Sequence, residues 1–357
     1  MTKRLSKLVI FIIIFALILS LTGYAKTKTT LKILNAGSLL VPFKEMEKAF
    51  EETYPDIDVL IEGHGSIQVI RHVTEVAQIS GEPIADIVAV ADYSLIPKMM
   101  YNTLIPGTEK NYANWCIKFA RNSLGLAYTS QSKYNDEINE SNWYQVISRP
   151  GVMIGISDPR FDACGYRALM VTKLAELLYK QDGILGDIMG EFSYPIKISE
   201  DNQRYTILVP EILEPESLVI RDSSIKLLFT LESGDIDYAY EYKSVAEQHN
   251  MIFLEFPPEI NLLSNQYQSL CSGMKVELAF RRFASVNPEF EIQPIIYGMT
   301  IPCNAPHPEL AEKWVKFVLG PKGQEIFRRE RQISIVPALV DNKENLPPEL
   351  WSYAEEE

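Results

Sequence analysis

Three segments place small residues and an oxygen-bearing side chain directly before a stretch of helical periodicity: Ala36-Gly37-Ser38, Gly63-His64-Gly65-Ser66 and Asp162-Ala163-Cys164-Gly165. The first N–H groups of a helix lack an intrahelical partner and carry partial positive charge, so a helix start is a ready anion site. Glycine lets an anion approach the backbone, and a serine hydroxyl adds another donor. Such a site needs no basic residue, which matters in a chain with 34 Lys+Arg against 47 Asp+Glu and a net charge of −13. The same Ser38, Ser66 and Asp162 would also serve as helix N-caps, and both readings stand at this level.

Other chemistries have weaker signals. The four cysteines (Cys116, Cys164, Cys271, Cys303) show no CxxC, and the four histidines (His64, His72, His249, His307) show no HExxH. Neither a disulfide scaffold nor a zinc site is indicated, and no cofactor is expected. A hydrolase using Ser66 or Cys164 with His64 is the rival from a different class, but no G-x-S-x-G elbow occurs. Cys164 also reads as a small buried hydrophobe. Tyr238, Tyr240 and Tyr242 alternate along a strand and so share one face. A pI near 5.0 without a Lys/Arg cluster argues against a nucleic-acid partner. The terminal Glu355-Glu356-Glu357 reads as a solvated tail.

The elements that must position these turns alternate between strand and helix. Strands are expected at residues 31–35, 57–61 and 85–91. Between them lie a helix with Phe43, Met46 and Phe50 on one face and a second with Ile67, Ile70, Val73 and Ala77. Asp92 is placed to cap the helix after the third strand. Further strands are expected at 124–129, 151–157, 235–240 and 294–301, with helices at 162–180, 308–319 and 323–331. This is an α/β pattern with a mostly parallel sheet expected, in two lobes between which the chain crosses more than once. Residues 1–25 read as an export signal: Lys3, Arg4 and Lys7, then a nearly continuous apolar run, then small residues ending at Ala25. The apolar run, about 14 residues, falls short of the roughly 20 that span a bilayer, although an uncleaved anchor is the alternative. No Cys follows it, which excludes a lipid-modified Cys. The exported chain keeps 31 basic and 47 acidic side chains, a net charge of −16.

At these residues the sequence resembles the substrate-binding proteins of archaeal molybdate/tungstate ABC transporters. The resemblance is carried by Asn35-Ala36-Gly37-Ser38-Leu39, Ala85-Asp86-Ile87-Val88-Ala89-Val90-Ala91-Asp92-Tyr93, Ser157-Asp158-Pro159 and Cys164-Gly165-Tyr166-Arg167, and further by Glu232-Ser233-Gly234, Tyr242-Lys243-Ser244-Val245-Ala246, Ile295-Ile296-Tyr297-Gly298 and Gly323-Gln324-Glu325-Ile326. It implies a two-lobed periplasmic-binding-protein-like fold of type II, with a hinged cleft between residues 26–119 plus 293–357 and residues 120–292. It implies a monomeric, non-catalytic protein at the cell surface that delivers tungstate or molybdate to a permease and its ATPase; another anion or small acidic solute is the alternative. The implied ligand contacts are Gly37, Ser38, Ser66, Asp162, Ala163, Cys164 and Tyr242, with Asp162 as a carboxylate that bonds the metal of the oxyanion. The family's second carboxylate, a glutamate, falls on Ser224, and Asp222 is the nearby substitute to consider.

Overall fold

The strand Thr29–Ala36 buries Leu31, Ile33 and Leu34 and lies inside a seven-stranded sheet. From edge to edge the sheet runs Ala354–Glu356, Ile333–Val340, Ile117–Arg121, Ile296–Thr300, Ile87–Val90, Thr29–Ala36, Ile57–His64. This computed structural model describes residues 28–190, 194–215, 218–279 and 289–357, so the expected export segment at 1–25 lies outside it. Among the described residues no helix is long and apolar enough to cross a membrane.

Thr29–Ala36 is parallel to both of its neighbours, pairing Ile33 with Ile61 on one side and with Ile87 on the other. Ile296–Thr300 is antiparallel to both of its neighbours, so the sheet is mixed rather than mostly parallel. The reason is topological: this central strand comes from the far end of the chain, after an excursion through the other lobe. The helix Leu40–Thr53 covers one face, burying Phe43, Met46 and Phe50 at helical spacing. Trp314, on the helix Pro308–Leu319, meets Phe43 and Phe50 edge-on at 5.8 and 5.2 Å. Burying each such aromatic contributes about 1.5–3 kcal/mol.

The second lobe has a five-stranded sheet in the order Ile252–Glu255, Leu124–Tyr128, Tyr238–Tyr242, Ile154–Ser157, Leu218–Arg221. Beside it lies a four-stranded sheet, Glu289–Glu291, Gly273–Leu278, Arg204–Val209, Lys197–Asp201, which the sequence pattern does not announce. Its outer strand, Lys197–Asp201, is exposed at every position, so no burial-driven alternation marks it. The strand expected at 235–240 instead occupies Tyr238–Tyr242, because Gly234, at φ +77°, and the turn after it consume the intervening residues. The helix expected through Ala77 runs on to Ser80 but carries a π segment: Ser66–Arg71 and Ala77–Ser80 are α-helical, and His72–Val76 between them is π-helical. The chain leaves the first sheet after Arg121 and enters the second at Leu124; it re-enters the first at Ile296. At this crossing the Asn122 N–H donates to Ile295 O at 3.1 Å, so the two connecting segments lie side by side.

The acidic C-terminus is not a free tail. Ala354–Glu356 forms an edge strand parallel to Ile333–Val340, and Glu357 accepts from the ammonium of Lys118, whose side chain is only 4% exposed. Deleting residues 354–357 should strip this strand and leave the Lys118 charge buried without its carboxylate. Because Glu357 itself is half exposed, the expected loss is only about 1–3 kcal/mol in chemical denaturation. An unchanged unfolding midpoint would show that the strand contributes nothing.

Candidate binding site between the two sheets

The first sheet contributes hydroxyls at the carboxyl ends of its strands, where ligands of open α/β sheets bind. Ser38 sits in the single 3-10 turn Gly37–Leu39 that follows Thr29–Ala36, and its Oγ accepts from the Tyr297 hydroxyl at 3.0 Å. Ser66 opens the helix Ser66–Arg71, fully buried, and its Oγ accepts from the Ala91 N–H at 3.0 Å. On the other sheet Tyr242 ends the strand Tyr238–Tyr242, and its hydroxyl oxygen accepts from Arg167 Nη1 at 2.8 Å. A hydroxyl that accepts still has its own proton to donate. All three therefore keep a hydroxyl proton to donate.

Asp162 precedes the helix Ala163–Tyr179, and Ala163 and Cys164 begin it, all three buried. The capping reading fails for Ser38 and Ser66, whose side chains bond no N–H of their own helices. Asp162 Oδ2 accepts the Ser224 N–H at 2.9 Å, and the backbone N–H of Cys164, in the first turn of its own helix, also steadies this carboxyl. The free helix start expected at Ser66 is corrected too. The Ile67 and Gln68 N–H groups both donate across the cleft to Phe161 O, at 3.1 and 3.2 Å.

Cys164 donates its thiol to Tyr240 O, and burial pushes that thiol well above its ordinary pKa, the reverse of an activated nucleophile. His64 stacks edge-on against His72 at 4.7 Å, and burial lowers its pKa. Neither Ser66 nor Cys164 has His64 as a partner, so the hydrolase reading has no geometry behind it. Asp222 is also set aside as a carboxylate: its side chain is 41% exposed and paired with Lys226 at 2.7 Å.

Ser224 is buried and does two things at once. Its N–H holds Asp162, and its Oγ donates to Glu241 Oε1 at 2.9 Å, where the Tyr242 N–H also donates at 2.7 Å. Burial pushes the Glu241 carboxyl up to about 8, opposed by those two hydrogen bonds and reinforced by the nearby Asp162 charge. Burial likewise raises Asp162, against the pull of the Ser224 N–H. Sequence reasoning missed Glu241, although an acid inside the otherwise apolar and aromatic strand Tyr238–Tyr242 was a usable signal.

The lobes are closed on one another. Arg167, fully buried, donates to Ala91 O at 2.8 Å and lies 3.4 Å from Asp92, which also accepts from the Tyr166 hydroxyl. A Cβ on Gly37 would lie 2.8 Å from Ser223 Oγ, and one on Gly65 would overlap Phe161 O and lie 2.8 Å from Asp222 O. Both glycines thus mark places where the lobes meet with no room for a side chain.

The high carboxyl pKa of Glu241 fixes a sign. The unfolded chain releases this proton near the ordinary 4.5, whereas the native protein holds it to about 8. The native state therefore binds the extra proton in between, and unfolding free energy falls as pH rises, by up to roughly 1.4 kcal/mol per unit. With no oxyanion added, Glu241→Gln should flatten the decline in stability between about pH 5 and pH 8 in urea melts. An identical slope in the variant would show that Glu241 is ionised in the native state.

The profile of the bacterial extracellular solute-binding proteins matches residues 31–330. A solute-binding protein of Methanoculleus marisnigri is 39% identical over 88% of this chain and 84% of its own length. The molybdate/tungstate-binding protein WtpA of Pyrococcus abyssi is 35% identical, with 99% of each chain aligned. Among solved structures, the substrate-binding protein of an Agrobacterium tumefaciens ABC transporter superposes with a TM-score of 0.54 at 14% identity, covering 94% of this chain and 88% of that one. The periplasmic molybdate-binding protein of Azotobacter vinelandii superposes at 0.50 and 16% identity, covering 85% and 98%. These two likenesses bear on the fold, which is the two-lobed binding-protein fold. Profile match and whole-length identity together place the chain in the extracellular solute-binding protein family, whose members bind solutes and are not enzymes.

Proposed function

We propose that this protein captures a tetrahedral oxyanion, tungstate or molybdate, between its lobes outside the cytoplasm and delivers it as a monomer to an ABC permease and its ATPase. The lobe boundaries expected at 119/120 and 292/293 move to the crossing segments at Asn122 and Ile295, because Ala120 and Arg121 still belong to a strand of the first sheet. The observation that carries the reading is the set of three buried hydroxyls, Ser38, Ser66 and Tyr242, each accepting a hydrogen bond and so keeping a proton to donate. The 35% identity to the Pyrococcus protein over nearly its whole length supports the choice of ion.

Neutral donors suit this task. They replace the hydration shell of a small dianion without fixing a cation that would hold it too tightly to release. The family resemblance adds the backbone N–H groups of Gly37, Ala163 and Cys164 as further donors to the oxyanion. Asp162 would repel an anion held only by hydrogen bonds. Tungsten and molybdenum, unlike sulfur in sulfate, accept a further oxygen ligand, and a carboxylate bonded to the metal attracts instead of repelling.

Titration calorimetry on residues 26–357 with tungstate, molybdate, sulfate and phosphate tests the reading. Tungstate and molybdate should bind and raise the melting temperature by mass action. Ser38→Ala and Ser66→Ala should each cost about 1.5–3 kcal/mol of binding, the scale of a hydrogen bond to a charged group. Preference for sulfate, phosphate or an organic acid would replace the reading with that solute.

Closure is tested separately. Gly65 has φ −61°, which any residue adopts, so alanine there perturbs only the approach of the lobes. Gly65→Ala should weaken oxyanion binding at least tenfold and leave a more open shape in small-angle scattering. Unchanged affinity would mean that the ligand is held without closure.

A further inference from the structure

Glu241 carries more than its place beside Tyr242 requires. Its side chain is fully buried, and its two oxygens differ: Oε1 receives both the Ser224 hydroxyl and the Tyr242 N–H, whereas Oε2 is buried with no hydrogen-bond partner among the described residues. A buried carboxyl oxygen left unpaired is costly and calls for a reason. Asp162 approaches the same residue, since Ser224 holds one oxygen of each carboxyl: its N–H bonds Asp162 Oδ2 and its Oγ bonds Glu241 Oε1.

We propose that Glu241 Oε2 is the second carboxylate oxygen offered to the metal of the bound oxyanion, with Asp162 as the first and Ser224 as the clamp that spaces them. The inference rests on the tungstate or molybdate reading above. It supplies a second carboxylate where the family glutamate falls on Ser224 and Asp222 is paired with Lys226. The carboxylate moves to the strand Tyr238–Tyr242, and the serine positions it. The bond is a lone pair given to an empty orbital of the metal. No oxygen leaves the anion and no electron is transferred; any proton on the carboxyl passes to solvent. For sulfate or phosphate no such bond forms, and the same two carboxyls repel the ion. Glu241 is thus a specificity residue.

The test uses the exported chain, residues 26–357, with sodium tungstate and sodium sulfate. In Glu241→Gln the amide keeps an acceptor for Ser224 and Tyr242 but puts an N–H₂ where Oε2 was. Tungstate affinity should fall at least tenfold while sulfate affinity stays equal or rises. X-ray absorption at the tungsten edge should show two oxygens beyond the anion's own four in the parent complex and one beyond them in the variant. Unchanged tungstate affinity in a folded variant overturns the proposal, as does a parent complex showing only the anion's own oxygens. Should the variant fail to fold, the parent spectrum decides alone. A parent protein that binds neither tungstate nor molybdate overturns the functional reading and this inference with it. Tungstate binding that is indifferent to Glu241→Gln overturns this inference only.

Discussion

A buried aspartate on one lobe, Asp92, is gripped by two side chains from the other lobe, and the closed cleft depends on that grip. Arg167 and Tyr166 both come from the helix Ala163–Tyr179; Arg167 also reaches Ala91 O and the Tyr242 hydroxyl. The Asp92 and Arg167 side chains are 1% and 2% exposed, so either charge left alone would be heavily penalised. Asp92 is further held by Ser94 and Gln293 on its own lobe, which fixes the orientation in which the partner lobe must arrive. Opening the cleft means hydrating both charges together, and closing it removes them from water together. The guanidinium that closes the lobes is the same group that orients Tyr242, so the latch and the site share a part.

That sharing shows how the proposed anion would be held with no positive charge devoted to it. Arg167 spends its charge on Asp92 and Ala91 and acts on a guest only through the Tyr242 hydroxyl it holds. The site then works with dipoles at contact distance. The net charge of −13 is spread over the surface and screened within about 8 Å at physiological salt. Under the proposed function the two buried carboxyls, Asp162 and Glu241, and not the surface charge, would set which anion is tolerated. Burial holds both toward the protonated form, which softens the repulsion.

The sheet organisation serves the same end. Ser38 and Ser66 follow strands of the first sheet, whereas Asp162 and Tyr242 follow strands of the second. Each lobe thus presents its strand ends, and the paired segments at Asn122 and Ile295 let those ends swing together. Asn122 joins the two by donating to Ser244 Oγ on one lobe and to the Tyr297 hydroxyl on the other. The Tyr297 hydroxyl continues to Ser38, so a hydrogen-bonded line runs from the hinge into the site.

Local signals in the sequence were enough for the α/β class, for most elements of the first lobe and for the turns that carry Gly37, Ser38, Ser66 and Asp162. Periodicity and turn residues act over a few residues, so Phe43, Met46 and Phe50 declare their helix without knowing what it packs against. The strand Lys197–Asp201, exposed throughout, and the three-residue edge strand Ala354–Glu356, which buries only Ala354, declare nothing, because neither carries an alternation of buried and exposed positions. The roles of the site residues were a tertiary decision. Whether Ser66 caps its helix or receives Ala91 depends on a strand 25 positions away, and whether Ser224 ends a carboxylate pair or holds it together depends on Asp162, 62 positions away, and Glu241, 17 away. A side chain chooses among hydrogen-bond partners by which of them the fold brings within 3 Å, and that choice is settled only when the chain has crossed twice between its lobes.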